Sequence, residues 1–182
     1  MYSVIGGKLT TCRSLAEEGA AEILSALGME PTGNSRERPL PGAERYPVGP
    51  GAVEAEWDRL AAQAGWTRQQ VEAVWWLLGT RTSEIVDRGV SPEVLDGTSL
   101  PRDVARYVIE HEWPATLADL VERRLMLLFK PGLTERCLRE LAGMLVDAGR
   151  LAAADVDNEV QRTVERLRVY HGKRVVPAEQ SV

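Results

Sequence analysis

An unbroken series of helical signals from residue 52 to residue 172 leaves few folds open to this chain. Apolar residues recur there at helical spacing, and no segment alternates polar and apolar residues as a half-buried strand does. The segments are bounded by helix-starting residues such as Thr67 and Thr134 and by helix-ending glycines such as Gly89 and Gly172. The sequence therefore predicts a mainly α fold, a bundle of roughly six helices.

The apolar residues of each segment fall on one helical face and form the predicted core. Thr116 is predicted to start a helix that continues to the break at Pro131, and Pro101 is placed at the first position of the preceding helix. In chain order the predicted core residues are Val53, Trp57, Leu60, Val71, Val74, Trp75, Leu78, Val104, Val108, His111, Leu117, Leu120, Val121, Leu128, Leu138, Leu141, Leu145, Ala148, Val156, Val160, Val164 and Leu167.

A smaller pattern precedes the bundle. Residues 1–5 are predicted to be the end of a strand, and Gly6 and Gly7 form the turn that follows. Thr10 or Thr11 is predicted to cap a helix by accepting from its free N–H groups, and that helix stops at Gly28.

The domain organisation follows from these patterns. Residues 1–28 form one strand–turn–helix unit, and residues 29–51 are a linker, because prolines and glycines there prevent a helix. Residues 52–172 form the all-α domain, and residues 173–182 are a frayed tail.

Composition excludes several function classes. The net charge of −5 argues against a general nucleic-acid partner, and the helix-turn-helix-like segment 67–89 carries too few basic residues to bind DNA. The two cysteines, Cys12 and Cys137, are too few for a disulfide framework and lack zinc-ligand spacing, so no metal is expected. No signal peptide or membrane-spanning run is apparent, which favours a reduced, cytoplasmic setting.

The segment after Ile5 has the chemistry of a ligand-binding turn. A helix start favours anions and carbonyl oxygens, glycines let a ligand approach the backbone, and Lys8 adds a positive charge. The spacing matches neither the dinucleotide GxGxxG nor the P-loop signature. From these residues alone, two interpretations stay open: a ligand site, or a tight turn with a solvated lysine.

The same segment, "GGKLTTCRSLAEE" at residues 6–18, resembles the end of the FAD domain in FAD-dependent glycerol-3-phosphate dehydrogenases. The likeness continues in "LPG", in "LLGTRTSEIVD" and in "DVARYVIEHEWPATLADLVERRLMLLF", and it covers residues 1 to 145. Three residues depart from the family pattern: Cys12 replaces a tyrosine, Leu78 an aromatic residue and Leu125 a threonine.

This resemblance implies a flavin site at the turn. Gly6, Gly7, Thr10 and Thr11 would lie beside FAD, with the helix start directed at the pyrimidine edge of the flavin. Lys8 would stabilise the negative charge that arrives with hydride, or contact the hydroxyl or phosphate of the substrate, and is the expected catalytic residue. The implied reaction oxidises glycerol 3-phosphate to dihydroxyacetone phosphate, with hydride passing to FAD and electrons to a membrane quinone.

The resemblance also implies that much of the site is elsewhere. The family's GxGxxG motif and most of its substrate residues precede anything in this chain. The chain is therefore expected to be the C-terminal part of such an enzyme, inactive and without FAD unless an FAD-binding domain joins it. The full enzyme would be cytoplasmic or peripheral on the inner membrane face, and a homodimer is open.

The alternative interpretation is a non-catalytic helical module that binds a protein partner through its tryptophans. The segment "VWWLL" at residues 74–78 is apolar all round, so at least one ring is expected to face another domain or chain.

Two further groups of residues have open roles. His111 is predicted to be a buried core residue rather than a catalytic one, and His171 to be exposed. Arg123 and Arg124, with Asp119 and Glu122, form either an anion site or surface ion pairs. Arg124 and Asp119 are the expected buried pair.

Overall fold

The computed structural model describes residue 3 and residues 5–178, and it divides the chain into two compact units, residues 1–44 and residues 45–182. The strand predicted at residues 1–5 lies largely outside the described residues, because residues 1, 2 and 4 are among those not described.

The first unit is a single helix with irregular flanks. A 3₁₀ turn at Leu9–Thr11 leads into helix α1, Cys12–Ala26, and Gly28 beyond it adopts a positive φ of 70°, as a helix-ending glycine does. No residue of α1 is buried. A lone helix of this length is marginal in water, and α1 buries no side chain that would stabilise it. Its exposed large apolar residues are Ile5, Leu9, Ile23, Leu27, Met29 and Leu40.

The second unit is the predicted helical bundle. No strand forms among the described residues, which contain only two isolated β-bridges, so the prediction of a mainly α fold is confirmed. Its helices are α2 (Ala52–Ala64), α3 (Arg68–Leu78), α4 (Thr82–Asp87), α5 (Arg102–His111), α6 (Leu117–Asp119), α7 (Glu135–Asp147) and α8 (Val156–His171).

Two groups of helices build the bundle. Helices α2, α3 and α4 pack against one another, and α7 packs against α5, α6 and α8. The apolar face of α7 is fully buried at Leu138, Leu141 and Leu145. Most predicted core residues are buried or half-buried, but His111 and Ala148 are exposed. Both lie at the ends of their helices, where the apolar face leaves the shared core.

Two helix starts are fixed by threonine caps, as predicted. Thr67 forms a reciprocal capping box with Gln70 at the start of α3. The Thr134 hydroxyl accepts from the Cys137 N–H at 3.0 Å and starts α7. Pro101 is one position earlier than predicted, because its extended ψ of 138° makes it the residue that precedes α5.

The helix predicted from Thr116 to Pro131 is wrong in its second half. After α6 the backbone widens into a π-turn at Leu120–Arg124, where the Leu125 N–H donates to the Leu120 carbonyl at 2.8 Å. Met126 then adopts a positive φ of 53° and ends the helical path. We call Leu117–Arg124 the α6–π segment.

The chain beyond α8 returns to the bundle rather than fraying at once. The Val176 N–H donates to the Leu133 carbonyl at 3.0 Å, and the Glu135 N–H donates to the Val176 carbonyl at 2.8 Å. This short parallel bridge attaches the chain after α8 to the start of α7.

Replacing the Thr134 cap should be costly. Thr134 is buried and donates to Asp96 Oδ2 at 2.5 Å in addition to capping α7. Thr134→Val keeps the volume but removes both hydrogen bonds, so we expect the free energy of unfolding to fall by about 2–4 kcal/mol in urea denaturation.

Thr163→Val is the matched control. Thr163 is equally buried, but its hydroxyl oxygen has no hydrogen-bond partner among the described residues. We expect a change of at most about 0.5 kcal/mol. Equal losses in the two variants would contradict the assignment of the Thr134 cap.

Candidate functional site

The glycine–lysine turn lies fully on the surface of the first unit. Gly6, Gly7, Lys8, Thr10 and Thr11 are all exposed. Neither glycine has a positive φ, so left-handed backbone does not explain the pair. A Cβ on Gly6 would come within 2.7 Å of the Leu15 side chain, whereas a Cβ on Gly7 would meet nothing within 4 Å. The backbone at Gly7 is therefore open to an approaching ligand.

The threonines do not cap the helix as predicted. The Thr11 hydroxyl donates to the Lys8 carbonyl at 3.1 Å instead of accepting from a helix N–H. A 3₁₀ turn begins at Leu9, so Thr11 lies one turn inside the helical path, where its hydroxyl reaches back to the carbonyl three residues earlier. The hydroxyl therefore closes the turn and leaves the first N–H groups free of a side-chain cap.

The electrostatics of this turn favour an anion. No acidic side chain occupies the first turn of the 3₁₀ segment or of α1. Lys8 forms no ion pair with any described residue, and its backbone is extended (φ −126°, ψ 127°). A helix start with an added ammonium group attracts a phosphate or a carbonyl oxygen bearing negative charge. The turn therefore has the electrostatics of an anion-binding site.

The two cysteines differ in environment. Cys12 is exposed, because α1 buries none of its residues. Cys137 is buried, and loss of solvation raises the pKa of its thiol to about 12. The thiolate is the reactive form, so Cys137 should be inert at neutral pH.

This difference predicts the result of thiol titration. With a disulfide reagent at pH 8, we expect Cys12 to react at once in the native protein and Cys137 to react only after unfolding in guanidinium. A Cys12→Ser variant should show no rapid phase. Rapid reaction of both cysteines in the native protein would contradict the burial of Cys137.

A groove of about 1100 Å³ lies within the second unit, between the α6–π segment and α8. The arginines predicted as ion pairs line it: Arg123 lies 3.6 Å from Asp119, and Arg124 lies 3.8 Å from Asp119. The expected pair of Arg124 with Asp119 forms, but the Arg124 side chain is half-buried rather than buried. Arg162 and Arg166 on α8 line the same groove. Their proximity could not be predicted from the sequence, because α8 and the α6–π segment are distant in the chain.

One ion pair anchors α8 to the α6–π segment. The Glu122 side chain is 8% exposed, and Arg166 donates to both of its oxygens at 2.6 and 3.0 Å. The Arg166 guanidinium holds the pKa of Glu122 below its usual range. His171, exposed as predicted, adds a contact of 3.5 Å to the same carboxylate.

His111 is not the core residue predicted. It is exposed at the end of α5, its ring stacks on Tyr107 with 4.1 Å between centroids, and its Nδ1 lies 2.9 Å from the Tyr107 carbonyl oxygen. Residue 111 ends α5, so its position on the apolar face no longer directs it into the core.

The tryptophans divide into core and surface residues. Trp75 is buried and packs against Trp57 and Tyr46, whereas its neighbour Trp76 is 73% exposed. Trp113 is 76% exposed, and the Arg150 guanidinium lies 4.4 Å above its ring. Trp76 is thus the outward-facing ring expected in "VWWLL".

The described part of the chain lacks both a metal-binding cluster and a membrane-spanning helix. No group of three or more His, Cys, Asp or Glu residues there is arranged to hold a metal ion. No helix in the described ranges has the length and apolar character needed to cross a bilayer.

Comparison with known proteins finds two relatives that have the same name. Proteins named glycerol-3-phosphate dehydrogenase from Pseudomonas aeruginosa and from Synechocystis are each 32% identical over 130 and 131 residues, 68% of this chain. A protein named D-erythritol 1-phosphate dehydrogenase from Brucella abortus is 29% identical over 128 residues.

The chain spans about a quarter of the length of these relatives, covering 24%, 23% and 25% of them. No family model matches the chain, and no solved structure matches it. The matches therefore relate this chain to one region of such dehydrogenases.

Proposed function

We propose that this chain, a homologue of one region of the glycerol-3-phosphate dehydrogenases, supplies part of the active site of an FAD-dependent oxidoreductase. The observation that carries the proposal is the match of two proteins of that name to 68% of the chain at 32% identity. The resemblance of "GGKLTTCRSLAEE" to the flavin-side segment of the same family also supports it.

The turn at Gly7 and Lys8 would hold the flavin. FAD, when bound, supplies a hydride acceptor. The open backbone at Gly7 would lie against the ring system, and Lys8 with the uncapped start of the first helix would stabilise negative charge beside it. The same ammonium group would also donate hydrogen bonds to a hydroxyl or phosphate oxygen of the substrate.

The rest of the flavin site would come from a partner region. The first unit exposes six large apolar side chains and buries none on α1, so it offers a surface for an FAD-binding domain to cover. Burial of such side chains is worth about 1.5–3 kcal/mol each, which would stabilise the joined domains.

We propose a phosphorylated polyol as the substrate, with glycerol 3-phosphate first, dihydroxyacetone phosphate as product and a quinone as electron acceptor. Two relatives bear the name of a glycerol 3-phosphate enzyme and a third that of a D-erythritol 1-phosphate enzyme. Both named substrates carry a phosphate ester on a polyol. An enzyme that delivers electrons to a membrane quinone would work at a membrane surface, and we propose the inner membrane face for it.

A chimera tests the proposal. This chain would replace the homologous region of the Pseudomonas aeruginosa glycerol-3-phosphate dehydrogenase, and dye reduction would be measured with glycerol 3-phosphate and with D-erythritol 1-phosphate. We expect flavin absorption in the purified chimera and turnover of at least one substrate. The truncated enzyme without this chain is the control. A folded chimera with flavin but with no more activity than the truncated enzyme would overturn the proposal.

The exposed Trp76 favours a second candidate function, a non-catalytic module that binds a protein through its tryptophans. In that case the chain alone would be stable and would not restore turnover to the truncated enzyme. Trp76→Ala would then weaken capture of a protein partner, whereas Trp75, which is buried, would not be available for binding.

A further inference from the structure

The groove between the α6–π segment and α8 has an unusual set of side chains for a surface hollow. Four arginines, four carboxylate residues (Asp119, Glu122, Glu159 and Glu165) and two exposed aromatic rings line it, and none of them belongs to the glycine–lysine turn. The arginines are Arg123, Arg124, Arg162 and Arg166, and the rings are Trp113 and Tyr170.

Three of these arginines keep their hydrogen-bonding capacity unused. Arg166 donates two hydrogen bonds to Glu122, but Arg123, Arg124 and Arg162 donate none to any described residue. Arg123 approaches Asp119 only to 3.6 Å, and Arg162 approaches Glu159 only to 3.7 Å. These distances are too long for hydrogen bonds, so the guanidinium N–H groups remain free to bind an acceptor.

The neighbouring carboxylates already have backbone partners. Asp119 accepts from the Ala115 N–H at 3.3 Å, and Glu159 accepts from the Leu117 N–H at 3.1 Å. Both hydrogen bonds fix the start of the α6–π segment, where carboxylates favour the positive helix end. These two hydrogen bonds stabilise the backbone, whereas the other Asp119 oxygen, Oδ1, is buried without a hydrogen-bond partner and lies 3.6 Å from Arg123 Nη1. The N–H groups of Arg123, Arg124 and Arg162 donate no hydrogen bond to a described residue and stay available for a ligand.

Arg124 has a buried hydrogen-bond donor that lacks an acceptor. Its Nε is buried and has no hydrogen-bond partner among the described residues, although Asp119 and Glu112 each lie 3.8 Å from its guanidinium nitrogens. A buried charged donor without an acceptor is costly, and the cost is removed if a ligand oxygen enters the groove. The π-turn that carries Arg124 is a feature often found at functional sites.

The backbone conformation of Trp113 is a further indication of a ligand site. Trp113 adopts φ 51°, a left-handed conformation that a bulky residue rarely adopts, and its ring is 76% exposed on the groove. A strained backbone of this kind is often found at ligand sites. Tyr170, across the groove on α8, is also exposed.

We propose that this groove binds a small organic oxyanion, a phosphate or carboxylate group attached to an apolar or aromatic body. The free N–H groups of Arg123, Arg124 and Arg162 bind the oxyanion in the bidentate manner that guanidinium groups favour. Trp113 and Tyr170 contact the body of the ligand. This site is separate from the glycine–lysine turn and does not depend on the function proposed for that turn.

Titration calorimetry with phenyl phosphate and with benzoate, on the full chain at low salt, tests the proposal. We expect saturable binding of one or both at one site per chain. Binding of phenyl phosphate alone identifies a phosphate ligand, and binding of benzoate alone identifies a carboxylate ligand; either result supports an oxyanion site. Absence of saturable binding of both would overturn the proposal.

Variants locate the site. Arg124→Gln and Arg162→Gln should each weaken binding about tenfold, because each removes a charge-assisted donor. Arg162 is exposed, so its replacement leaves folding intact even if Arg124→Gln is destabilised. Arg59→Gln is the matched control, since Arg59 pairs with Glu56 and neither residue lines the groove. Equal weakening by Arg59→Gln would show diffuse attraction and would overturn the site.

Discussion

The Lys8→Ala variant of the chimera should oxidise glycerol 3-phosphate about a hundredfold more slowly than the parent chimera. Removing one preorganised group that stabilises developing charge typically costs 10²–10³ in turnover. Lys8 has no ion pair with any described residue and stands where the turn is most open, so its charge is available to the reaction. Steady-state dye reduction at saturating substrate would measure the effect.

Two further variants separate charge from fold. Lys8→Arg should retain more activity than Lys8→Ala, because it keeps the positive charge. Lys130→Ala removes an exposed lysine of the second unit that is not among the residues of the proposed flavin turn, and it should leave turnover unchanged. Full activity in Lys8→Ala, with the flavin content of the parent, would show that the turn is only structural.

The Leu141→Ala variant should lose about 2–5 kcal/mol of unfolding free energy. Leu141 is fully buried at the centre of α7, which packs against α5, α6 and α8. Truncation removes burial and leaves a cavity that a helix held on several sides cannot close. Urea denaturation followed by circular dichroism would measure the loss.

Val169→Ala on α8 is the control for this prediction. Val169 is 56% exposed, so its truncation should change the unfolding free energy by less than about 0.5 kcal/mol. A small effect of Leu141→Ala would contradict the position of α7 at the centre of the core.

Local chemistry made much of the bundle predictable. Thr67 and Thr134 cap the helices that the sequence assigns to them, and Gly28, Gly89, Gly149 and Gly172 all adopt the positive φ expected after a helix end. These signals depend on neighbouring residues and backbone sterics alone, so they are legible without tertiary contacts.

Predictions failed where the packing overrides the periodicity. The helix from Thr116 is interrupted by the π-turn and by Met126, although its apolar spacing continues to Leu128. His111 has the position of an apolar residue on its helix, yet it is exposed. Whether a helical face is covered depends on the neighbouring elements, and that information is not local.

The glycine–lysine turn was found from the sequence because its residue types and their order carry the chemistry. Gly7, Lys8 and the helix start are contiguous, so their proximity follows from the chain itself. The arginine groove shows the opposite case. Arg124 and Arg162 come from two elements far apart in the chain, and only the packing of α8 on the α6–π segment brings them together.

The sequence by itself thus determined the mainly α fold, the helix limits at capped ends and the composition of the flavin-like turn, because each depends on contacts within a few residues. The tertiary structure alone decided which tryptophans face outward and which arginines share a groove. Those features depend on how helices pack, and helix packing selects among many surfaces that the same periodic pattern allows.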